Sequence, residues 1–160
     1  MFDVVSVHAW LKAYDPWRLI DTQSGPDGRD SMSNRNASDI SDGHSYPQPR
    51  LPTVVPGKIH MMGEFGGLGA FVDGHQWANA CHTYDHVDTP QEEADQYVAM
   101  AGTILGFNKV LTSISIYTQI TDVENECDGY FNYDRTNKFN ASQVAEIVAA
   151  NAALVNMPIP

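Results

Sequence analysis

The chain has 160 residues, 42% of them hydrophobic and 18% charged, which is enough apolar material to bury one core and reads as one globular domain or a part of one. Nine Lys and Arg stand against twenty Asp and Glu, a formal charge of -11 that repels a polyanion such as nucleic acid and makes a neutral partner the easier one. No apolar run approaches the roughly 18 residues of a membrane span, and Met1-Phe2-Asp3-Val4 lacks the basic start and apolar core of a signal peptide.

In chain order, Val4, Val7, His8 and Leu11 fall on one helical face, and Asp15-Pro16 stops that helix because the residue before proline avoids the helical region. Arg18 to Thr22 is a short apolar run that predicts a buried strand, closed by Gln23-Ser24-Gly25-Pro26 and followed by a long polar loop through Ser38. Ile40 to Tyr46 predicts a second strand, closed by Pro47 and Pro49. Lys58 to Glu64 predicts a third, set between Pro56-Gly57 and Gly66-Gly67.

Thr89 caps the clearest helix, with Pro90 at its first position and Glu92 three residues after the cap. Ala94, Tyr97, Val98, Ala101, Ile104 and Leu105 form its apolar stripe, and Gly106 is placed to end it. Val110 to Tyr117 predicts a fourth strand. Asn140 and Gln143 then open a last helix carrying Val144, Ile147, Val148, Leu154 and Val155.

Strands alternating with helices predict an α/β fold with a parallel sheet, whose functional groups gather at the strands' C-terminal ends. Those ends carry Thr22 and Gln23, His44 and Tyr46, Glu64, and Tyr117 with Gln119. A carboxylate, amides, hydroxyls and aromatic faces together suit a sugar. Glu64 follows Ile59, Met61 and Met62, so it is expected at the mouth of the sheet, with glycines beside it that allow close backbone approach by a ligand.

Four ordered motifs carry a resemblance: Asp42-Gly43-His44-Ser45-Tyr46-Pro47, then Gly63-Glu64-Phe65-Gly66-Gly67-Leu68-Gly69, then Ile116 to Glu126, then Tyr133-Asp134-Arg135. From about Leu11 to Phe139 the chain resembles the C-terminal half of the catalytic domain of glycoside hydrolase family 2, the β-galactosidase, β-mannosidase and β-glucuronidase family. The resemblance implies the C-terminal half, strands five to eight, of a (β/α)8 TIM barrel, with residues 1–160 forming one partial catalytic domain. It makes Glu64 the nucleophile of a retaining β-glycosidase, β-galactosidase first among the labels. It sets His44 and Tyr46 beside that nucleophile, Tyr117 and Gln119 at the end of strand eight, and Asp122 and Glu124 in the loop beyond, against the bound sugar.

A retaining glycosidase also needs a second carboxyl about 5 to 5.5 Å from the nucleophile, as acid and then base. In family 2 it follows an Asn at the end of strand four, a part of the barrel that this chain does not contain. Asn125-Glu126 falls after strand eight, in the wrong place. The chain is therefore expected to be a fragment that needs the N-terminal half of the barrel to complete its fold, inactive alone, with a carbohydrate β-glycoside as substrate and neither nucleic acid nor membrane as partner.

Three further features stand apart from those motifs. Cys81 and Cys127 make neither a disulfide framework nor a metal pair by spacing and are expected as small buried side chains. His82 and His86 have the i, i+4 spacing of a zinc-binding helix, and with His75, Asp85 and His44 they frame an alternative, a metal-dependent barrel hydrolase; two ligands are not a site, and no metal or organic cofactor is assigned. Trp77 in the same stretch is a candidate sugar platform. A second alternative is a non-catalytic carbohydrate-binding remnant that keeps these aromatics.

Overall fold

A computed structural model describes residues 3–22, 24–25 and 37–158, leaving aside the side chains of residues 108–111. Helix α1 (Val4–Tyr14) starts where the Asp3 carboxylate accepts the Ser6 N–H at 3.1 Å, and it ends at Asp15 as the proline requires. No residue of α1 is buried. It is moored instead by Lys12, whose ammonium lies 2.6 Å from the Asp39 carboxylate.

The strand predicted over Arg18 to Thr22 is not formed. Side chains replace the ladder there: the Ile20 N–H donates to Asp39 Oδ2 at 2.9 Å and the Thr22 N–H to Ser38 Oγ at 3.3 Å. The Asp39 N–H also donates to the Ile20 carbonyl at 3.0 Å. Gln23, most of the polar loop after it and Asn36 of the first sequon lie outside the described residues.

Strands β1 (Ile40–Ser45), β2 (Ile59–Gly66) and, after a helix, β5 (Ile114–Thr118) form a parallel sheet in the order β1-β2-β5. The fifth strand starts four residues later than predicted, because Val110 still belongs to the helix. Two short strands that the sequence did not signal, β3 (Leu68–Ala70) and β4 (Asp85–Val87), pair in parallel beside it. The fold is thus mixed α/β with parallel sheets.

The register of β2 matters most. Gly43 faces Met62 but His44 faces Glu64, and on the other side Met62 and Phe65 face Ser115 and Tyr117, so β2 carries one extra residue at Gly63-Glu64 against both neighbours. A bulge of this kind breaks the two-residue alternation and re-aims a side chain. Met62 and Phe65, three apart, both enter the hydrophobic core, while Glu64 between them stays half-exposed. A Cβ on Gly63 would lie 2.0 Å from Asp42 Oδ1, so the bulge residue has to be glycine for Asp42 to sit where it does.

Helix α2 (Pro90–Leu111) covers this sheet with Ala94, Tyr97, Met100, Ala101 and Ile104, all buried. Burial of each larger side chain stabilises by roughly 1.5–3 kcal/mol. Thr89 Oγ1 accepts the Glu92 N–H at 3.2 Å, and the Glu92 carboxylate reaches back to the Asp88 N–H at 2.8 Å, one residue short of the predicted capping box. Gly106 does not end the helix, since Phe107 packs on the core and carries it another turn. Helix α3 (Ala141–Val155) has the expected Asn140 and Gln143 capping box and packs on α2 through Ile147 and Leu154. The amide of the second sequon's Asn140 is thereby occupied as a helix cap.

Cys81 and Cys127 are not separate buried thiols but a disulfide. The His82 N–H donates to the Asn125 carbonyl and the Cys127 N–H to the His82 carbonyl, and this bridge sets the two Cα atoms 5.5 Å apart, within disulfide range. Because 46 residues separate the two cysteines, spacing alone could not reveal the contact. Among the described residues no helix is long and apolar enough to cross a membrane.

Candidate active site

Because the three strands of the main sheet run parallel, the ends of β1, β2 and β5 open on one side, and Tyr46, Glu64 and Thr118 meet there. The Tyr46 hydroxyl donates to Glu64 Oε2 at 2.5 Å and lies 2.8 Å from Thr118 Oγ1. A phenol has one proton, so with Glu64 taking it the threonine hydroxyl is the donor to Tyr46. His44 Nδ1 is 3.3 Å from the same Oε2. Oε1 of Glu64 accepts no hydrogen bond among the described residues, and the side chain is 42% exposed.

Behind His44 lies Asp42, its carboxylate fully buried and 3.1 Å from Nε2, with the Ser24 hydroxyl 3.2 Å from the same nitrogen. Burial pushes the Asp42 carboxyl above its usual range, the facing His44 pulling the other way. Burial and the Glu64 carboxylate together raise the Tyr46 phenol, which stays a donor.

The remaining sequence-predicted residues are placed differently. Tyr117 turns its ring into the core, stacked on Tyr130 at 4.7 Å and edge-on to Tyr97 and Phe65. Gln119 donates its amide to Asp128 Oδ1 at 2.6 Å. Asp122 is buried and takes the Lys138 ammonium at 3.0 Å and the Gly129 N–H at 2.9 Å. Glu124 is exposed at the tip of a turn, with φ 52. Trp77 is exposed and rests against Tyr133, 4.9 Å between rings, beside a His75–Asp134 contact of 2.7 Å. Of the eight residues, the structure joins Glu64, His44 and Tyr46 by direct contact.

Sequence reasoning missed four parts of this arrangement. Asp42 was detectable, since residues two apart on a strand share a face and Asp42 stands two before His44. Thr118 is one position past Tyr117, inside the same Ile116 to Glu126 motif. Tyr84, whose ring lies flat on Tyr46 with centroids 3.6 Å apart and planes 5° apart, has no local signature. The fourth part is a buried set of Glu93, Lys138 and Asp128, with Glu93 and Lys138 3.9 Å apart, which surrounds the predicted Asp122.

No family model matches the chain, and no curated protein does. Solved structures do. An exo-β-agarase superposes with a TM-score of 0.70 at 17% identity, over 98% of this chain and 22% of its own. The agarase AgWH50C superposes at 0.66 and 16% identity, over 96% of this chain and 25% of its own. This chain has the fold of a segment of an agarase. It spans about a quarter of the length of the structures it matches.

These two agarase structures support a relationship to glycoside hydrolases but not to glycoside hydrolase family 2 specifically. The histidines of the metal alternative do not gather. His82 lies in an isolated bridge and His86 in β4, so they share no helix face, and among the described residues no three His, Cys, Asp or Glu side chains could hold a metal ion.

Proposed function

We propose that this chain supplies the nucleophile-bearing part of a retaining β-glycoside hydrolase, with Glu64 as nucleophile. The observation that carries the reading is the division of labour on one carboxylate: Oε2 accepts from Tyr46 and has His44 Nδ1 at 3.3 Å, while Oε1 is unengaged among the described residues and reachable from solvent. A nucleophile must be fixed in direction yet have one lone pair free for the reacting atom. A carboxylate serving only as an ion-pair partner has no such requirement, and Glu64 has no Lys or Arg beside it among the described residues.

In the proposed reaction Oε1 attacks the anomeric carbon as the bond to the leaving oxygen breaks, and that oxygen takes a proton from a second carboxyl. Water, deprotonated by the same second group, then releases the sugar and frees Glu64. Tyr46 keeps Oε2 hydrogen-bonded throughout and orients the attack, with His44 Nδ1 beside the same oxygen. The second carboxyl is assigned to the first four strands of a (β/α)8 barrel, which β1, β2 and β5 would join as strands six to eight. The fold shared with segments of much longer agarases supports that assignment.

The substrate proposed is a β-linked galactoside, in a polymer of the agar type. What supports it is the agar that the structural neighbours are named for, together with sequence motifs that resemble a family in which β-galactosidases stand beside β-mannosidases and β-glucuronidases. Trp77 beside Tyr133 is the proposed stacking surface for a further sugar unit.

The test uses the intact protein with agarose and an aryl β-galactoside. Glu64→Ala should lower kcat on the order of 10⁴-fold. Azide, a small nucleophile that fits the space left by the carboxylate, should restore turnover in that variant and give a glycosyl azide of inverted anomeric configuration. Full activity in Glu64→Ala, or no hydrolysis of any β-glycoside by the wild type, sinks the proposal.

A further inference from the structure

We infer that Tyr84 is a positioning residue for Glu64, acting through the ring of Tyr46. The inference rests on Glu64 being the nucleophile and concerns a residue outside the motifs that identified it. Tyr46 reaches Glu64 from a ring whose plane decides where its hydroxyl points. On the far end that hydroxyl is fixed by Glu64 and Thr118. On the flank the ring is fixed by Tyr84, stacked face to face at 3.6 Å and 5°. Without that flank Tyr46 can turn about its Cα–Cβ bond, and the bond to Oε2 is lost.

The backbone around Tyr84 is arranged to place this ring. The N–H groups of Tyr84 and Asp85 both donate to the Gly67 carbonyl, at 3.1 and 3.0 Å, and the Gly67 N–H donates to the Thr118 carbonyl at 2.9 Å. Gly67 sits at φ +63, and a Cβ on it would fall 2.5 Å from the Tyr84 ring. The Gly66 N–H donates to the Pro47 carbonyl at 2.9 Å, next to Tyr46. The glycine pair after Glu64 thus makes room for an aromatic neighbour, in addition to any approach by ligand. Three residues before Tyr84, the disulfide to Cys127 anchors the segment from the other side.

The exposure of Tyr84 distinguishes this role from core packing. The ring is 55% exposed although it lies flat on a half-buried partner, so its free surface borders the site rather than filling the core. The groups facing Glu64 are then Tyr46 and His44 directly, Asp42 behind His44, Thr118 behind Tyr46, and Tyr84 holding Tyr46 from the side.

The experiment compares Tyr84→Phe and Tyr84→Ala in the intact protein, with Tyr46→Phe as reference. Tyr84→Phe keeps the stack and should keep kcat within about twofold, whereas Tyr84→Ala should lower kcat by about 10- to 100-fold with KM little changed, as a misplaced reacting group does. Thermal unfolding of both variants should match the wild type. Crystal structures give a reading independent of turnover: the Tyr46 hydroxyl stays on Glu64 Oε2 in Tyr84→Phe and leaves it in Tyr84→Ala. Tyr46 found in place in Tyr84→Ala overturns the inference, as does a Tyr84→Phe variant impaired as deeply as Tyr84→Ala, which would make the hydroxyl a substrate contact. A wild type without hydrolytic activity strikes at the nucleophile assignment instead, and the crystal structures still decide the role of Tyr84.

Discussion

Among single residues, the buried acids Asp128 and Glu93 have the plainest physical consequence. Asp128 is pushed from 3.8 up to about 6 by burial, with the Gln119 amide and Lys138 working against the shift. Glu93 is pushed from 4.5 up to about 8 for the same reason, opposed chiefly by Lys138. An acid whose folded pKa is raised binds its proton more tightly in the native state than in the unfolded one. Stability is then full below the unfolded value and falls as pH rises through the window between the two. For these groups the window runs from about 4 to about 8, Asp128 contributing the part below 6. Asp128→Asn keeps an oxygen to accept the Gln119 amide and carries no charge. Urea unfolding should therefore show the wild type losing stability between pH 4 and pH 6 and the variant losing clearly less. Equal slopes would mean that Asp128 is ionised throughout.

At the scale of elements, the disulfide joins two long connections, one running from β3 to β4 and the other from β5 toward α3. Around it lie two backbone bonds between residues 82 and 125–127 and, further out, the His75–Asp134 contact. Closing a loop of 46 residues should stabilise the fold by about 2–4 kcal/mol, a loss to be measured by urea denaturation of Cys81→Ser with Cys127→Ser. A loss near zero would mean that the backbone bonds alone hold the two connections together. Which elements were legible in the sequence follows from the range of the interactions that make them. Helices α2 and α3 were readable because Thr89, Asn140 and Gln143 act within one turn, and β1 and β2 because proline and glycine bound them. The bulge at Gly63, the pairing of β3 with β4 and the disulfide depend on residues far apart in sequence, which no local pattern records. The same holds in the site: Tyr46 and Glu64 could be chosen from their motifs, but Tyr84 became visible only as a ring against Tyr46.

For the whole molecule, the proposed barrel can be tested by its outer surface. Helix α1 and the segment after it expose Trp10, Tyr14, Trp17 and Leu19, and Trp17 is 92% exposed. Helix α1 contributes no buried residue: Val4, Val7, His8 and Leu11 border a shallow cavity with Ile20, Asp21 and Thr22, while Trp10 and Tyr14 are left exposed. Large aromatic side chains exposed beside one another, as Trp10 and Tyr14 are with rings 6.0 Å apart, are candidates for a contact surface. If β1, β2 and β5 belong to a closed barrel, neighbouring strand and helix units would cover that face, since closure leaves no free sheet edge. The three tryptophans, Trp10, Trp17 and Trp77, report on it, because all are exposed in this chain while Trp77 packs on Tyr133 rather than on α1. Acrylamide should quench all three in the 160-residue chain alone. In the intact protein, single-tryptophan variants should show Trp10 and Trp17 shielded and Trp77 still open until a galactan oligosaccharide is added. Trp10 and Trp17 quenched equally in both would leave α1 bare, and the barrel would then have to close without it.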